Sequence, residues 1–147
     1  MRARLLRLAA LVFAVLTCPA PAAAEVIDAI TLEPREGHIR IGLHLTGPVR
    51  YLRHAPAERG EMVVVLLEAL APEAFDPRPQ VEEVKRGPAS NLVPPFTARV
   101  SFDLACSPSA RPLCITLRFQ QPVRYRVRLG PDRRSVLVEL LPEERAP

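Results

Sequence analysis

The sequence predicts an all-β protein, a β-sandwich of two similar antiparallel sheets from an internal duplication, after an N-terminal signal peptide. Three observations carry this expectation. Two segments 74 residues apart alternate apolar and polar side chains with period two. The same segments share a four-residue block. Prolines number 17 in 147 residues, which favours short strands and stiff connections over long helices.

Residues 1–24 have the features of an export signal. Arg2, Arg4 and Arg7 make a positive start, an unbroken apolar run follows from Leu8 to Leu16, and Ala22, Ala23 and Ala24 supply small residues before Glu25. The run is too short for a bilayer, which needs about 20 apolar residues. Cys18 follows Leu16 and Thr17, a poor match to a lipidation site. Cleavage near Ala24/Glu25 and a periplasmic location are therefore expected, with no membrane span in the mature chain.

Removing the signal leaves 17 basic and 16 acidic side chains. The distribution is uneven. Residues 25–83 carry a net −5 and residues 84–141 a net +7. Opposite signs on the two halves suggest either a polar interaction face or two solvated surfaces that attract each other.

The first repeat half spans about 25–70 and the second about 97–141, within one domain covering 25–142. Ile39, Ile41, Leu43 and Leu45 alternate with Arg40, Gly42, His44 and Thr46. In the second half Leu113, Ile115, Leu117 and Phe119 alternate with Cys114, Thr116, Arg118 and Gln120. Successive side chains on a strand point to opposite faces, so each segment has one apolar side. Over residues 39–51 and 113–125 six positions are identical, including Pro48-Val49-Arg50-Tyr51 and Pro122-Val123-Arg124-Tyr125. Residues 63–67 then match 136–140 after a loop one residue shorter, and residues 26–32 match 98–104 more weakly. Each half is thus about four strands, and two half-apolar sheets hide their faces by packing together. A Pro-rich connector, 71–96, joins the halves.

Strand ends are marked as well. Gly47-Pro48 and Gln121-Pro122 are expected to separate strands, because Pro cannot donate to a central ladder. Arg59-Gly60 and Gly130-Pro131-Asp132 are expected as hairpin turns. Residues 63–67 are apolar without alternation, which suggests a strand covered on both faces.

These segments resemble the amidase N-terminal (AMIN) domain family. Leu43-His44-Leu45-Thr46-Gly47-Pro48-Val49-Arg50-Tyr51 is similar to its alternating strand and Gly-Pro-Val-x-Tyr segment. Pro131-Asp132-Arg133, leading to Val136-Leu137-Val138-Glu139-Leu140, is similar to its second motif with one extra residue. The first half has Pro56-Ala57-Glu58-Arg59 in place of the Pro-Asp-Arg block, and the connector is long. The resemblance covers about 25–141. It implies a sandwich of two symmetric sheets and a role in holding periplasmic machinery on peptidoglycan.

The residues give no sign of catalysis. No nucleophile elbow, phosphate loop or dinucleotide fingerprint is present, so no cofactor is expected. His38, His44 and His54 lack the spacing of a zinc site, and no metal is expected. Cys106 and Cys114 are candidates for a disulfide in an oxidising compartment. Their parity speaks against the bond, since Cys106 sits in phase with Phe102 and Cys114 with Arg118, while Pro108 and Pro112 could break that register.

The arginines are the best candidates for recognition. Arg124, Arg126 and Arg128 alternate with Tyr125, Val127 and Leu129 and should share one strand face, with Arg118 on the polar face before them. A guanidinium fork binds carboxylates in a bidentate way, and peptidoglycan stem peptides carry free carboxylates. The bland reading is a ladder that solvates an exposed sheet. Tyr51 and Tyr125 are candidates for stacking on sugars, and equally for core or corner positions. The expected partner is therefore peptidoglycan, with periplasmic envelope proteins as the alternative. Nucleic acid does not suit an exported chain.

Overall fold

The computed structural model describes residues 25–75, 82–102, 106 and 111–143. The expected signal peptide, 1–24, lies outside the described residues, as do 76–81 of the connector.

The fold is all β. Its strands are β1 (Ile27–Arg35), β2 (His38–Leu45), β3 (Val49–Ala55), β4 (Arg59–Ala69), β5 (Glu83–Arg86), β6 (Phe96–Ser101), β7 (Pro112–Leu129) and β8 (Ser135–Leu141). The only helical element among the described residues is a 3-10 turn, Pro72–Ala74. All strands belong to one antiparallel sheet with the path β1-β2-β8-β7-β4-β3, and β6 and β5 branch from β7. The expectation of two separate sheets thus meets a single hydrogen-bonded one.

The 18-residue β7 explains this. In its first part Ile115 faces Val65 of β4 on one side and Val100 of β6 on the other. In its second part Val127 faces Val138 of β8. Two arms therefore share one strand. Gln121-Pro122 does not end it, contrary to expectation. Pro122 falls in a gap of the β4 ladder, between the Gly60↔Val123 and Met62↔Arg118 pairs, and before the β8 ladder starts at Arg124. No ladder bond is asked of the residue that cannot donate one.

Strands of the two sequence halves interleave. Ile39, Ile41 and Leu43 of β2 face Leu140, Val138 and Val136 of β8. Leu113, Ile115 and Leu117 of β7 face Leu67, Val65 and Val63 of β4. Offsets of 74 and 73 residues carry each pair of the first set onto one of the second. The expected match of residues 26–32 with 98–104 runs outside the described residues at 103–104. Ile41 faces Leu32 and Ile115 faces Val100, positions 68 residues apart, not the 72 of that match. Apolar residues facing the core set this register, which a weak sequence match did not specify.

Turn positions follow local chemistry. Gly130 to Arg134 link β7 to β8 as expected, and Arg133 has φ 57°. Asp132 Oδ1 accepts from the N–H groups of Arg134 and Ser135, both at 3.0 Å, which fixes the turn. The expected turn at Arg59-Gly60 is displaced. Both residues lie in β4, and the bend is at 56–58.

One apolar cluster draws on every strand except β5. Ile27, Ile41, Leu43, Val63, Val65, Leu113, Ile115, Leu117, Val136 and Val138 are wholly buried. Each such side chain contributes about 1.5–3 kcal/mol through removal from water. The opposite face is also covered in places, at Leu137 of β8 and on the β4–β7 pair. Leu66 and Cys114 face each other there and are both buried. Cys114 is disulfide-bonded to Cys106, with the Cα atoms 6.3 Å apart. The parity objection is thereby explained. Cys114 does point away from the core, but onto a face that the disulfide itself helps to close.

β5 inverts its hydrophobic pattern. Val84 is exposed, while Glu83 and Lys85 turn towards the start of β1. Glu83 accepts from Val26 N at 2.6 Å and Ile27 N at 3.1 Å. Lys85 donates to Ile27 O and to Glu25 Oε2. Side chains from the connector thus satisfy the backbone where β1 begins.

Candidate functional site

The side of the sheet away from the core carries two different polar surfaces. On the β1-β2-β8-β7 arm, Glu33, Arg40, Glu139 and Arg126 form one cross-strand row of alternating charge. Glu139 is its centre. Its Oε1 lies 3.1 Å from the guanidinium of Arg40 and 3.1 Å from that of Arg128, with His38 Nε2 at 3.8 Å. Burial alone would raise the Glu139 pKa. Hydrogen bonds from Arg128 and Arg40, together with the nearby charges of Arg128 and His38, outweigh it and hold the carboxyl below its ordinary value.

A second network lies at the end of the same arm. His44 Nε2 is 3.0 Å from Thr31 Oγ1, and His44 Nδ1 is 3.0 Å from Ser135 Oγ. Ser135 Oγ donates to Asp132 Oδ2 at 2.7 Å. The two backbone donors and this hydroxyl hold the Asp132 pKa below its usual value, the Arg134 N–H contributing most. A Ser–His–carboxylate nucleophile needs the imidazole between hydroxyl and acid. Here the hydroxyl is in the middle and its proton goes to Asp132. The arrangement braces β1, β2 and the β7–β8 turn. The sequence places His44 on a solvated face, so this network was not foreseen.

The arginines of β7 are not one patch. Arg118, Arg124, Arg126 and Arg128 share a side of the strand, but Arg118 and Arg128 are ten residues apart, roughly 33 Å along an extended strand. Arg128 is held by Glu139. Arg124 donates to Pro142 O at 3.4 Å and stands opposite Arg59, which pairs with Glu143. Arg124 and Arg126 border a recess of ≈ 390 Å³ with His54 and Glu58.

The tyrosines occupy different environments. Tyr125 is wholly buried and donates its hydroxyl to Pro56 O at 2.9 Å, so no ring face is open to a sugar. Tyr51 is half-buried, and its hydroxyl is 2.5 Å from His54 Nδ1. Burial raises both phenol pKa values.

Arg118 belongs to the other arm. Arg86 of β5, Thr97 of β6, Arg118 of β7 and Met62 of β4 form one row across four strands. They stand beside a cleft of ≈ 860 Å³ also lined by Glu61, Phe96, Phe119 and the loop 87–95. The loop is tied down by Gly87 N to Phe96 O at 2.9 Å and Gln120 N to Pro95 O at 3.2 Å. A Cβ on Gly87 would collide with the Phe96 ring, so glycine lets the loop approach. Arg86 and Thr97 were not singled out by the sequence. Their proximity to Arg118 is a matter of register between strands, which no local pattern encodes.

The opposite charges of the two sequence halves do not form two poles. Lys85–Glu25, Lys85–Glu83 and Arg99–Glu82 contacts join them, and the strands interleave. Among the described residues no His, Cys, Asp or Glu group is arranged to hold a metal, and no helix is long and apolar enough to cross a membrane. Comparison with family models, characterised proteins and solved structures finds no match to this chain.

Proposed function

We propose that this chain is an exported, non-catalytic binding module of the AMIN type, which recognises peptidoglycan and localises envelope machinery on it. In this reading the two arms are the halves of a β-sandwich, descended from a duplicated four-strand unit. The equivalent registers support the duplication: Ile41 opposite Val138, and Ile115 opposite Val65. The shared apolar cluster supports the sandwich, because buried residues of both arms contact one another.

The observation that carries the functional reading is the polar side of β7. It presents Arg118 and Arg126 to solvent, while the apolar side is consumed by the core. Neither arginine is paired with a carboxylate among the described residues. A wall peptide supplies carboxylates that fit such forks. With the apolar side buried, recognition falls to the outer surface.

One observation favours a second reading, a scaffold that docks an envelope protein without touching the wall. β3 is an edge strand, and its Leu52 is exposed between Arg50 and Arg53. An extended partner segment could add to such an edge.

Co-sedimentation of the purified mature chain with sacculi decides between them. The wall-binding reading expects pelleting at low salt that weakens as salt rises, by screening of the arginine–carboxylate contacts. Absence of pelleting at low salt, with stoichiometric capture of one envelope protein, favours the scaffold.

A further inference from the structure

We propose that the cleft beside Arg86, Thr97 and Arg118 is the receptor for a short zwitterionic peptide, its carboxylate held by the two arginines and its ammonium by Glu61. This rests on the wall-binding reading above and names the part of the ligand that this cleft takes.

Register puts Arg86 and Arg118 on either side of Thr97. Two strand spacings separate their Cα atoms by about 10 Å, within reach of one ligand end for side chains this long. Each guanidinium offers a planar fork of donors, and the Thr97 hydroxyl lies between them. Arg35, Arg40, Arg50, Arg59, Arg99 and Arg128 all have acidic partners. Arg86 and Arg118 have none among the described residues. Arg53, Arg126, Arg133 and Arg134 also lack one, so what distinguishes Arg86 and Arg118 is that both line one cleft with their donors unspent.

Glu61 lines the same cleft. A site with cations at one part and a carboxylate at another matches an ammonium-bearing acid better than a polyanion, which Glu61 would repel. Pro88, Ala89 and Pro95 give the cleft an apolar wall for aliphatic side chains, while the Phe96–Phe119 pair behind it, with ring centroids 5.6 Å apart, is buried on the core side. Its ≈ 860 Å³ suits a ligand of a few residues. Two backbone bonds hold the rim loop to the sheet, so the cleft is formed before binding and little ordering cost remains.

The test is calorimetric titration of the mature chain with alanyl-glutamyl-lysine as the free acid, and with the same peptide carrying both carboxyls as amides. The free acid is expected to bind, and the diamide to bind about 10-fold or more weakly, the loss of a charge-assisted contact. Arg86→Gln and Arg118→Gln should each weaken the free acid about 10-fold, with Arg118→Lys between them and wild type because it keeps charge but loses the fork. Glu61→Gln should weaken the free acid but not its N-acetylated, lysine-acetylated form. Amide spectra of each variant establish that the sheet is intact, since all three side chains are exposed. No binding of the free acid, equal binding of acid and diamide, or unchanged binding in the arginine variants overturns the proposal. Wild-type pelleting with sacculi alongside any of those results leaves the wall-binding reading standing while this site falls. Peptide binding without sacculus pelleting supports the site and removes the wall as its source.

Discussion

The Arg128 guanidinium and the Glu139 carboxylate meet across β7 and β8, with Nη2 3.1 Å and Nε 3.2 Å from the same oxygen. Arg40 approaches that oxygen from the other side. One acid thus joins three strands and removes Arg128 from the free arginines of β7. Glu139 is more sheltered than Arg128, so its replacement should disturb stability more than ligand binding.

Glu139→Gln is expected to cost about 1–2 kcal/mol at pH 7, after allowing for the solvent around Arg128. The folded carboxyl titrates below its ordinary value. A depressed folded pKa gives stability that is present above the unfolded pKa and lost as pH falls through the folded one. Urea unfolding at pH 7 and again in acid, below the usual carboxylate range, should show the gap between wild type and variant closing in acid.

Asp132→Ala removes an acceptor shared by two backbone N–H groups and the Ser135 hydroxyl. A loss of about 1 kcal/mol is expected at neutral pH. It too should shrink in acid, because the Asp132 pKa is lowered in the fold. Thermal melts at both pH values check this. Ser135→Ala should also loosen His44, visible as a change in its ring proton shifts.

If the two halves descend from one unit, matched core positions should carry similar loads. Ile41 and Ile115 are both wholly buried and face Val138 and Val65. Ile41→Ala and Ile115→Ala are each expected to cost about 2–5 kcal/mol. Denaturant midpoints of the two variants should agree more closely with each other than with an exposed control such as Val84→Ala.

Reduction of the Cys106–Cys114 bond opens a loop with a sequence separation of 8. Loop entropy alone gives a loss of about 2–3 kcal/mol. Cys114 is buried, so its thiol should alkylate slowly after reduction unless the strand opens. Mass spectrometry after timed alkylation, paired with unfolding curves, reads both effects.

Much of the sheet was legible because one side is apolar. Alternation at 39–45 and 113–119 specified β2 and the first part of β7, and their oily sides are indeed the core. What escaped depends on relations between strands. Pro122 reads as a strand break, yet it sits where neither neighbour asks for a donor. β5 inverts the rule, with Val84 outside and Glu83 bonded to the start of β1. The Arg86–Thr97–Arg118 row arises from three strands whose register appears in no single segment. Arg124, Arg126 and Arg128 were legible as one side of a strand, but the pairing of Arg128 with Glu139 was not.

Ligands are expected to meet the outward side of β7 and its neighbours. Titrating a 15N-labelled mature chain with soluble, enzymatically released wall fragments tests it most directly. Saturable amide shifts are expected around Thr97, Arg118, Gln120 and Arg126, with the edge strand Val49–Ala55 quiet. Shifts confined to Val49–Ala55, or no shifts at millimolar fragment, would contradict it.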